Sequence, residues 1–160
     1  MQTVIVRPMR AADAKAASTT LVASIGELCA ADHRNDPDVI RAWTANKTPN
    51  AIRRWIGNPR TVLVLADIEG ACAGVGGLST DGEMLLNYVH PDHRFRGVSR
   101  AILCDLERRL AGFGHAEARL TGTATALPFY RSAGWRETGA VESGFGIDGF
   151  VMAKALRRGA

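Results

Sequence analysis

The chain has 160 residues, 46% of them hydrophobic and 22% charged, with a formal net charge of +4. This is the composition of a folded chain of one-domain size, and it excludes a disordered or collagen-like one. The longest clean apolar run, Val62 to Ala66, falls far short of the ~20 residues a membrane span needs, so no membrane partner is expected.

Thr3 to Pro8 reads as a first strand closed by a proline. Ala11 to Ala31 carries Leu21, Val22, Ile25 and Leu28 at helical spacing. Asp36-Pro37-Asp38 opens a further helix with Pro37 near its first position and Ile40 and Trp43 on one face. Asn50 is the expected cap of a short helix from Ala51 to Ile56, which Gly57-Asn58-Pro59 ends. Thr61 to Ile68 and Ala71 to Leu78 are two strands joined at Glu69-Gly70 as a hairpin. No helix start follows Gly74, Gly76 and Gly77, so these glycines mark a bulge or a close backbone approach within a strand, not a nucleotide loop.

Asp81-Gly82 turns the chain into a third strand, Met84 to Val89. A helix from Val98 to Leu110 presents Ile102, Leu103, Leu106 and Leu110, and Gly112 and Gly114 stop it. Glu117 to Thr121 is a strand, Leu127 to Ser132 a short helix, and Trp135 to Thr138 with Phe150 to Leu156 complete the sheet. No linker or repeat interrupts the pattern, so residues 1–160 are expected to form a single α+β domain.

The three cysteines, Cys29, Cys72 and Cys104, include no CxxC pair, and no Cys/His cluster has zinc-like spacing. No metal is expected, and Cys104 reads as a packed thiol beside the apolar stripe of its helix. The basic residues are spread along the chain without a Lys/Arg run, so a nucleic-acid partner is not expected. Arg7, Arg10, Asp13, Lys15 and Glu27 break up the first thirty residues, which leaves no secretory apolar region and makes the cytoplasm the expected setting.

The most informative stretch runs from Val89 to Leu103. A strand that feeds through Gly97 into a helix start offers unpaired N–H groups, the positive end of a helix dipole and close backbone approach. Arg94, Arg96 and Arg100 add charge of the same sign, so the turn is suited to an anion such as a pyrophosphate. Arg94-Phe95-Arg96-Gly97-Val98-Ser99 resembles the Arg/Gln-x-x-Gly-x-Gly/Ala signature of the GNAT superfamily of N-acetyltransferases. Val89-x-Pro91 and Arg100-Ala101-Ile102-Leu103 flank it as in that family, and Ser99 stands where the family usually has Gly or Ala. Ala126 to Trp135 resembles a later motif of the same family, in which Phe129-Tyr130 is followed after three residues by Gly134 and the aromatic Trp135. Thr123 occupies the position of a cofactor-contacting Asn.

The resemblance implies a GNAT-like α+β fold: a mostly antiparallel mixed sheet of six to seven strands, flanked by helices and splayed to admit acetyl-CoA as cosubstrate. It implies pyrophosphate on Arg94, Phe95, Arg96, Gly97, Val98, Ser99 and Arg100, and a pantetheine arm pairing with backbone groups of Tyr88 and Val89. Thr123 and Phe129 would add further cofactor contacts. The implied activity is acetyl transfer to a primary amine of a small molecule or peptide by direct attack. A CoA-binding regulatory module without transferase activity is the other reading, prompted by Ser99 and Thr123. Homodimers are common in the family and are a further expectation. The helices between the first two strands commonly shape the acceptor pocket, which makes Trp43, Trp55, Arg53 and Arg54 candidates for its walls. Core packing for the tryptophans and a solvated face for the arginines are the alternatives.

An amine must be neutral to attack. With a pKa near 10.4, about one lysine-like ammonium in a few thousand is neutral at pH 7. That shortfall amounts to about 4 to 5 kcal/mol of barrier, which favours a general base or a desolvated pocket. Glu83 is the candidate base, at a position where some members of the family carry a glutamate. Alternation places Glu83, Leu85, Asn87 and Val89 on one face unless a bulge breaks the register. Asn87 is a candidate to orient the acceptor or a water. A histidine titrates near neutral pH, which makes His90 an alternative base. The same alternation turns it away from Glu83 and it borders the phosphate turn, while His33, His93 and His115 read as surface or loop residues. The resemblance makes Tyr130 the general acid for the departing CoA thiolate, with packing on the cofactor as its other role.

Overall fold

The β-branched run Thr61–Ile68 and the glycine-rich run after it pair as the central hairpin of a seven-stranded sheet in a computed structural model that describes residues 2–157. The turn between them holds both Glu69 and Gly70 at positive φ, the geometry that matches strand twist in a tight hairpin. The strands are β1 (Ile5–Pro8), β2 (Thr61–Ile68), β3 (Ala71–Ser79), β4 (Glu83–Val89), β5 (Glu117–Gly122), β6 (Arg136–Gly144) and β7 (Ile147–Ala155). Their order across the sheet is β1-β2-β3-β4-β5-β7-β6. The β4–β5 pair is parallel and the rest are antiparallel, which gives the mixed, mostly antiparallel sheet implied by the resemblance.

Helices cover both faces. The helix α1 (Ala14–Leu28) is followed by α2 (Ala30–His33), α3 (Pro37–Thr44) and α4 (Pro49–Ile56), and α5 (Val98–Gly112) and α6 (Leu127–Ser132) come after β4 and β5. Along β2, Leu63 and Leu65 join Ala17, Leu21 and Ile52 in one buried cluster, while Val64 and Ala66 join Ile102, Leu106 and Met152 in the other. The central strands are therefore apolar on both sides, as a sheet between two helical layers must be. No helix among the described residues is long and apolar enough to cross a membrane.

Gly74 and Gly76 let α5 lie close on β3. A Cβ on Gly74 would stand 2.7 Å from the Val98 side chain, and one on Gly76 would stand 2.5 Å from that of Ile102. They mark a close approach, one of the two alternatives the sequence offered, and they set the height of the α5 N-terminus over the sheet.

Several boundaries differ from the sequence reading. The cap of α4 is Thr48, whose Oγ1 accepts from the Ala51 N–H at 3.1 Å, and not Asn50. Pro49 has no N–H and fits the first helical position, which moves the cap one residue back. Cys104 is exposed and not packed, because one step of about 100° from Leu103 carries it off the buried stripe. The last two strands are nine residues each and form a long hairpin, where the sequence reading has Trp135 to Thr138 and Phe150 to Leu156.

Two features shape the centre of the sheet. First, β4 and β5 pair only through Glu83 with Arg119 and Met84 with Leu120, and then separate. Second, the β3–β4 register jumps from Gly77 opposite Leu86 to Leu78 opposite Met84, which leaves Leu85 as a bulge. Met84 consequently packs with the α5 cluster while Leu86 packs with the α1 cluster, although simple alternation puts both on one face. Asn87 and Val89 look to the α5 side, and Glu83 no longer shares their face. The shared face expected for Glu83 and Asn87 is corrected by that single extra residue.

Candidate active site

The split between β4 and β5 opens into a cavity of about 680 Å³. Beyond Met84 the edge of β4 that faces β5 has no strand partner, so its backbone groups are free to pair with an extended ligand. Met84 to Val89 form one wall, and Leu120 to Thr123 with Pro128, Phe129 and Tyr130 form the other. The turn into α5 closes one side through His93, Arg94, Phe95 and Gly97 to Arg100.

That turn has the geometry of an anion site. Gly97 takes φ +78°, and a Cβ placed on it would meet nothing within 4 Å, so the space above its backbone is open. No side chain caps α5, and the N–H groups of Val98, Ser99 and Arg100 find no acceptor among the described residues. Three unpaired donors at a helix N-terminus beside Arg94 and Arg100 attract a phosphate. Phe95 is 93% exposed with φ +63°, and the Arg94 guanidinium lies 4.7 Å from its ring centroid. The Arg100 guanidinium stands 5.8 Å from the ring centroid of Phe129.

Tyr130 is delivered by α6, wedged edge-on between Phe129 and Trp135. The Trp135 ring is itself anchored by its N–H donating to Glu107 at 3.1 Å. Burial pushes the Tyr130 phenol up to about 12, and the nearby Asn87 amide pulls the other way. Asn87 also donates from Nδ2 to the Ser99 carbonyl at 3.3 Å, while its Oδ1 is buried without a partner. His93 likewise has a buried, unpartnered Nδ1. Such orphaned polar atoms in a cavity wall are places where a ligand completes the hydrogen bonding.

Of the residues singled out from the sequence, Asn87, Tyr88, Val89, Arg94, Phe95, Gly97, Val98, Ser99, Arg100, Thr123, Phe129 and Tyr130 all line this one cavity. Glu83 and Arg96 do not. Arg96 reaches back to the Gln2 side chain. Glu83 lies at the paired end of β4, where partial burial and then the Glu142 charge raise its carboxyl. His90 accepts the Asp92 N–H at 3.1 Å and so caps its own turn. His33 is buried and not on the surface: its Nε2 bonds the Ile25 carbonyl at 2.8 Å and its Nδ1 accepts from Asn35. His93 belongs to the cavity, and His115 bonds the Thr80 carbonyl at 2.6 Å.

The sequence reading missed the side of the cavity built from α1 and α2: Ser24, Leu28, Cys29 and Asp32. Trp43 from α3 lines it too, as one of its two sequence readings has it, while Trp55 packs half-buried against the α1 cluster. The Trp43 indole N–H donates to the Tyr88 hydroxyl at 3.3 Å, and burial raises that phenol. Burial also pushes the Cys29 thiol up to about 12, with the Asp32 charge adding to the shift. Arg53 and Arg54 are exposed on α4, outside the cavity.

This arrangement can hold a phosphorylated, extended ligand from the α5 turn along the open edge of β4, with its far end beside a buried phenol. Comparison with known proteins agrees. The chain is similar to a GCN5-related N-acetyltransferase from Rhodopseudomonas palustris, at 25% identity, with 98% of each chain covered and a TM-score of 0.86. It also superposes on a PaiA N-acetyltransferase from Thermoplasma acidophilum solved with coenzyme A, at 16% identity over 96% of this chain and 99% of that one, with a TM-score of 0.81. The yncA protein of Salmonella typhimurium, solved with acetyl-CoA, gives 19% identity over 99% of this chain and 96% of that one, with a TM-score of 0.73. No curated protein matches the chain. A family model described as Acetyltransferase (GNAT) domain matches residues 29–156, most of the chain. With the splayed sheet, the uncapped α5 turn and this match in agreement, the chain belongs to the GNAT family of acetyltransferases.

Proposed function

We propose that this protein transfers an acetyl group from acetyl-CoA to the primary amine of a small molecule or peptide, by direct attack of the amine on the thioester. The observation that carries this reading is the meeting of the α5 anion turn, the free β4 edge and the Tyr130 phenol in one cavity. The residues present fit the cosubstrate. The N–H groups of Val98 to Arg100 with Arg94 would hold the pyrophosphate, Tyr88 and Val89 the pantetheine amides, and Phe129 and Thr123 the arm near its reactive end. Bound there, acetyl-CoA supplies an activated carbonyl as the electrophile.

Tyr130 holds a proton for the sulfur that departs. Against a thiol with a pKa of ~8.5 in water, a phenol near 12 would be a poor donor. Inside this cavity burial works on a thiol in the same direction, as the raised Cys29 thiol in its wall illustrates. Desolvation makes a departing thiolate a stronger base than it is in water, which favours its taking the Tyr130 proton. Asn87 ties β4 to the start of α5 through the Ser99 carbonyl and borders the same cavity as the phenol.

The test is thiol release from acetyl-CoA with a panel of primary amines. The reading predicts release that needs both the enzyme and an amine. CoA binding without release for any primary amine would favour the regulatory alternative and contradict transfer.

A further inference from the structure

On the α1 side of the split, the cavity wall contains an uncompensated carboxylate. Asp32 is the one acidic residue among those lining the cavity, whereas the lining arginines, Arg94 and Arg100, belong to the α5 side. Its Oδ1 accepts the Thr125 N–H at 3.3 Å, while its Oδ2 is buried and has no hydrogen-bond partner. Among the described residues no lysine or arginine pairs with it. Lys47, at the corner between α3 and α4, directs its ammonium to the Trp43 carbonyl and the Asn46 side chain. A part-buried carboxylate that the fold leaves unpaired is costly, and a cation brought by a ligand would relieve it.

The walls around Asp32 suit the same kind of ligand. Trp43, Tyr88 and Leu28 give aromatic and apolar surface, and the Trp43 N–H is already committed to the Tyr88 hydroxyl. Aromatic faces attract an alkylammonium and offer nothing to an anion. Given the acetyl-transfer reading, on which this step rests, we infer that Asp32 holds the ammonium of a cationic acceptor whose apolar body lies against the wall that Trp43 and Tyr88 form together. The acceptor class is thus a primary amine on an apolar body, without a carboxylate next to the amine. Arg53 and Arg54, the residues suited to an acidic acceptor, stand outside the cavity.

The test uses the full chain loaded with CoA and titrated calorimetrically with three probes of one shape: phenethylamine, 2-phenylethanol and phenylalanine. Phenethylamine should bind about 10- to 100-fold more tightly than either of the others, the range of one charge-assisted hydrogen bond. Asp32→Asn keeps the acceptor for Thr125 and removes the charge. It should abolish that preference while leaving CoA affinity within about twofold and the melting temperature no lower, because Oδ2 has no partner to lose. Intact CoA binding with equal affinity for all three probes, with no binding of phenethylamine, or with an unchanged preference in Asp32→Asn would overturn the Asp32 assignment alone. Failure of the wild-type chain to bind CoA would instead overturn the acetyl-transfer reading, and this one with it.

Discussion

Tyr130 and Cys29 share the cavity and both are pushed up to about 12, one as a phenol and the other as a thiol. Burial weakens the phenol as an acid, and the same burial makes a thiolate in this cavity a stronger base than it is in water. A Tyr130→Phe enzyme should keep its affinity for acetyl-CoA within about twofold and lose turnover by about 10²-fold or more. Isothermal titration and steady-state thiol release check this, and an equal loss in both would contradict the role. Because Tyr130 stays protonated up to about pH 12, kcat/KM should rise with pH as the amine loses its proton, with no Tyr130-dependent fall below pH ~11. A descending limb at pH 8–9 that vanishes in Tyr130→Phe would contradict that assignment. Tyr130 was legible because its motif carries it. The separation of Glu83 from Asn87 was not, since a one-residue bulge at Leu85 leaves no mark in an apolar strand.

At the scale of elements, the site depends on how closely α5 sits on β3. In Gly76→Ala the new Cβ would meet Ile102 at 2.5 Å, so α5 must move away from the sheet. The expected cost is about 1–3 kcal/mol of stability, together with weaker acetyl-CoA binding, since α5 carries the anion turn. Thermal melting with a binding titration checks this, and wild-type affinity would contradict the coupling. A second link joins β1 to α1, where Arg7 holds Asp13 through two hydrogen bonds of 2.8 and 2.9 Å. The Arg7 hydrogen bond holds the Asp13 carboxyl down at about 2, below its ordinary 3.8. A lowered pKa adds stability above pH ~4 that is lost as pH falls towards 2. Asp13→Asn should therefore melt lower at neutral pH and show a shallower loss between pH 4 and 2, read from denaturation at each pH; an identical acid limb would contradict the link. The β2–β3 hairpin and the extent of α6 were readable because apolar runs and turn residues bound them. The extent of β6 was not: all nine of its residues are exposed, so Arg136–Gly144 has no buried alternation to read.

Across the whole molecule, the split sheet brings together segments that the sequence keeps apart. The α5 and α6 sides of the cavity were legible because their residues are contiguous: Val89 to Arg100 is one strand–turn–helix unit, and Ala126 to Trp135 is a short helix with the turn that ends it. The opposite wall of the cavity draws single residues from α1, α2 and α3, namely Ser24, Asp32 and Trp43, and no local pattern marks them. Only the path of the backbone gathers them opposite Tyr88. The central claim, that this cavity receives acetyl-CoA with its pyrophosphate on the Gly97 turn, has a direct measurement. Calorimetric titration of the wild-type chain and of Gly97→Glu with acetyl-CoA, with ATP as control, should give saturable binding selective for acetyl-CoA in the wild type. It should give none in Gly97→Glu, where a carboxylate would occupy the open space above Gly97. Wild-type affinity in a folded Gly97→Glu variant, or no binding by the wild type, would contradict the account.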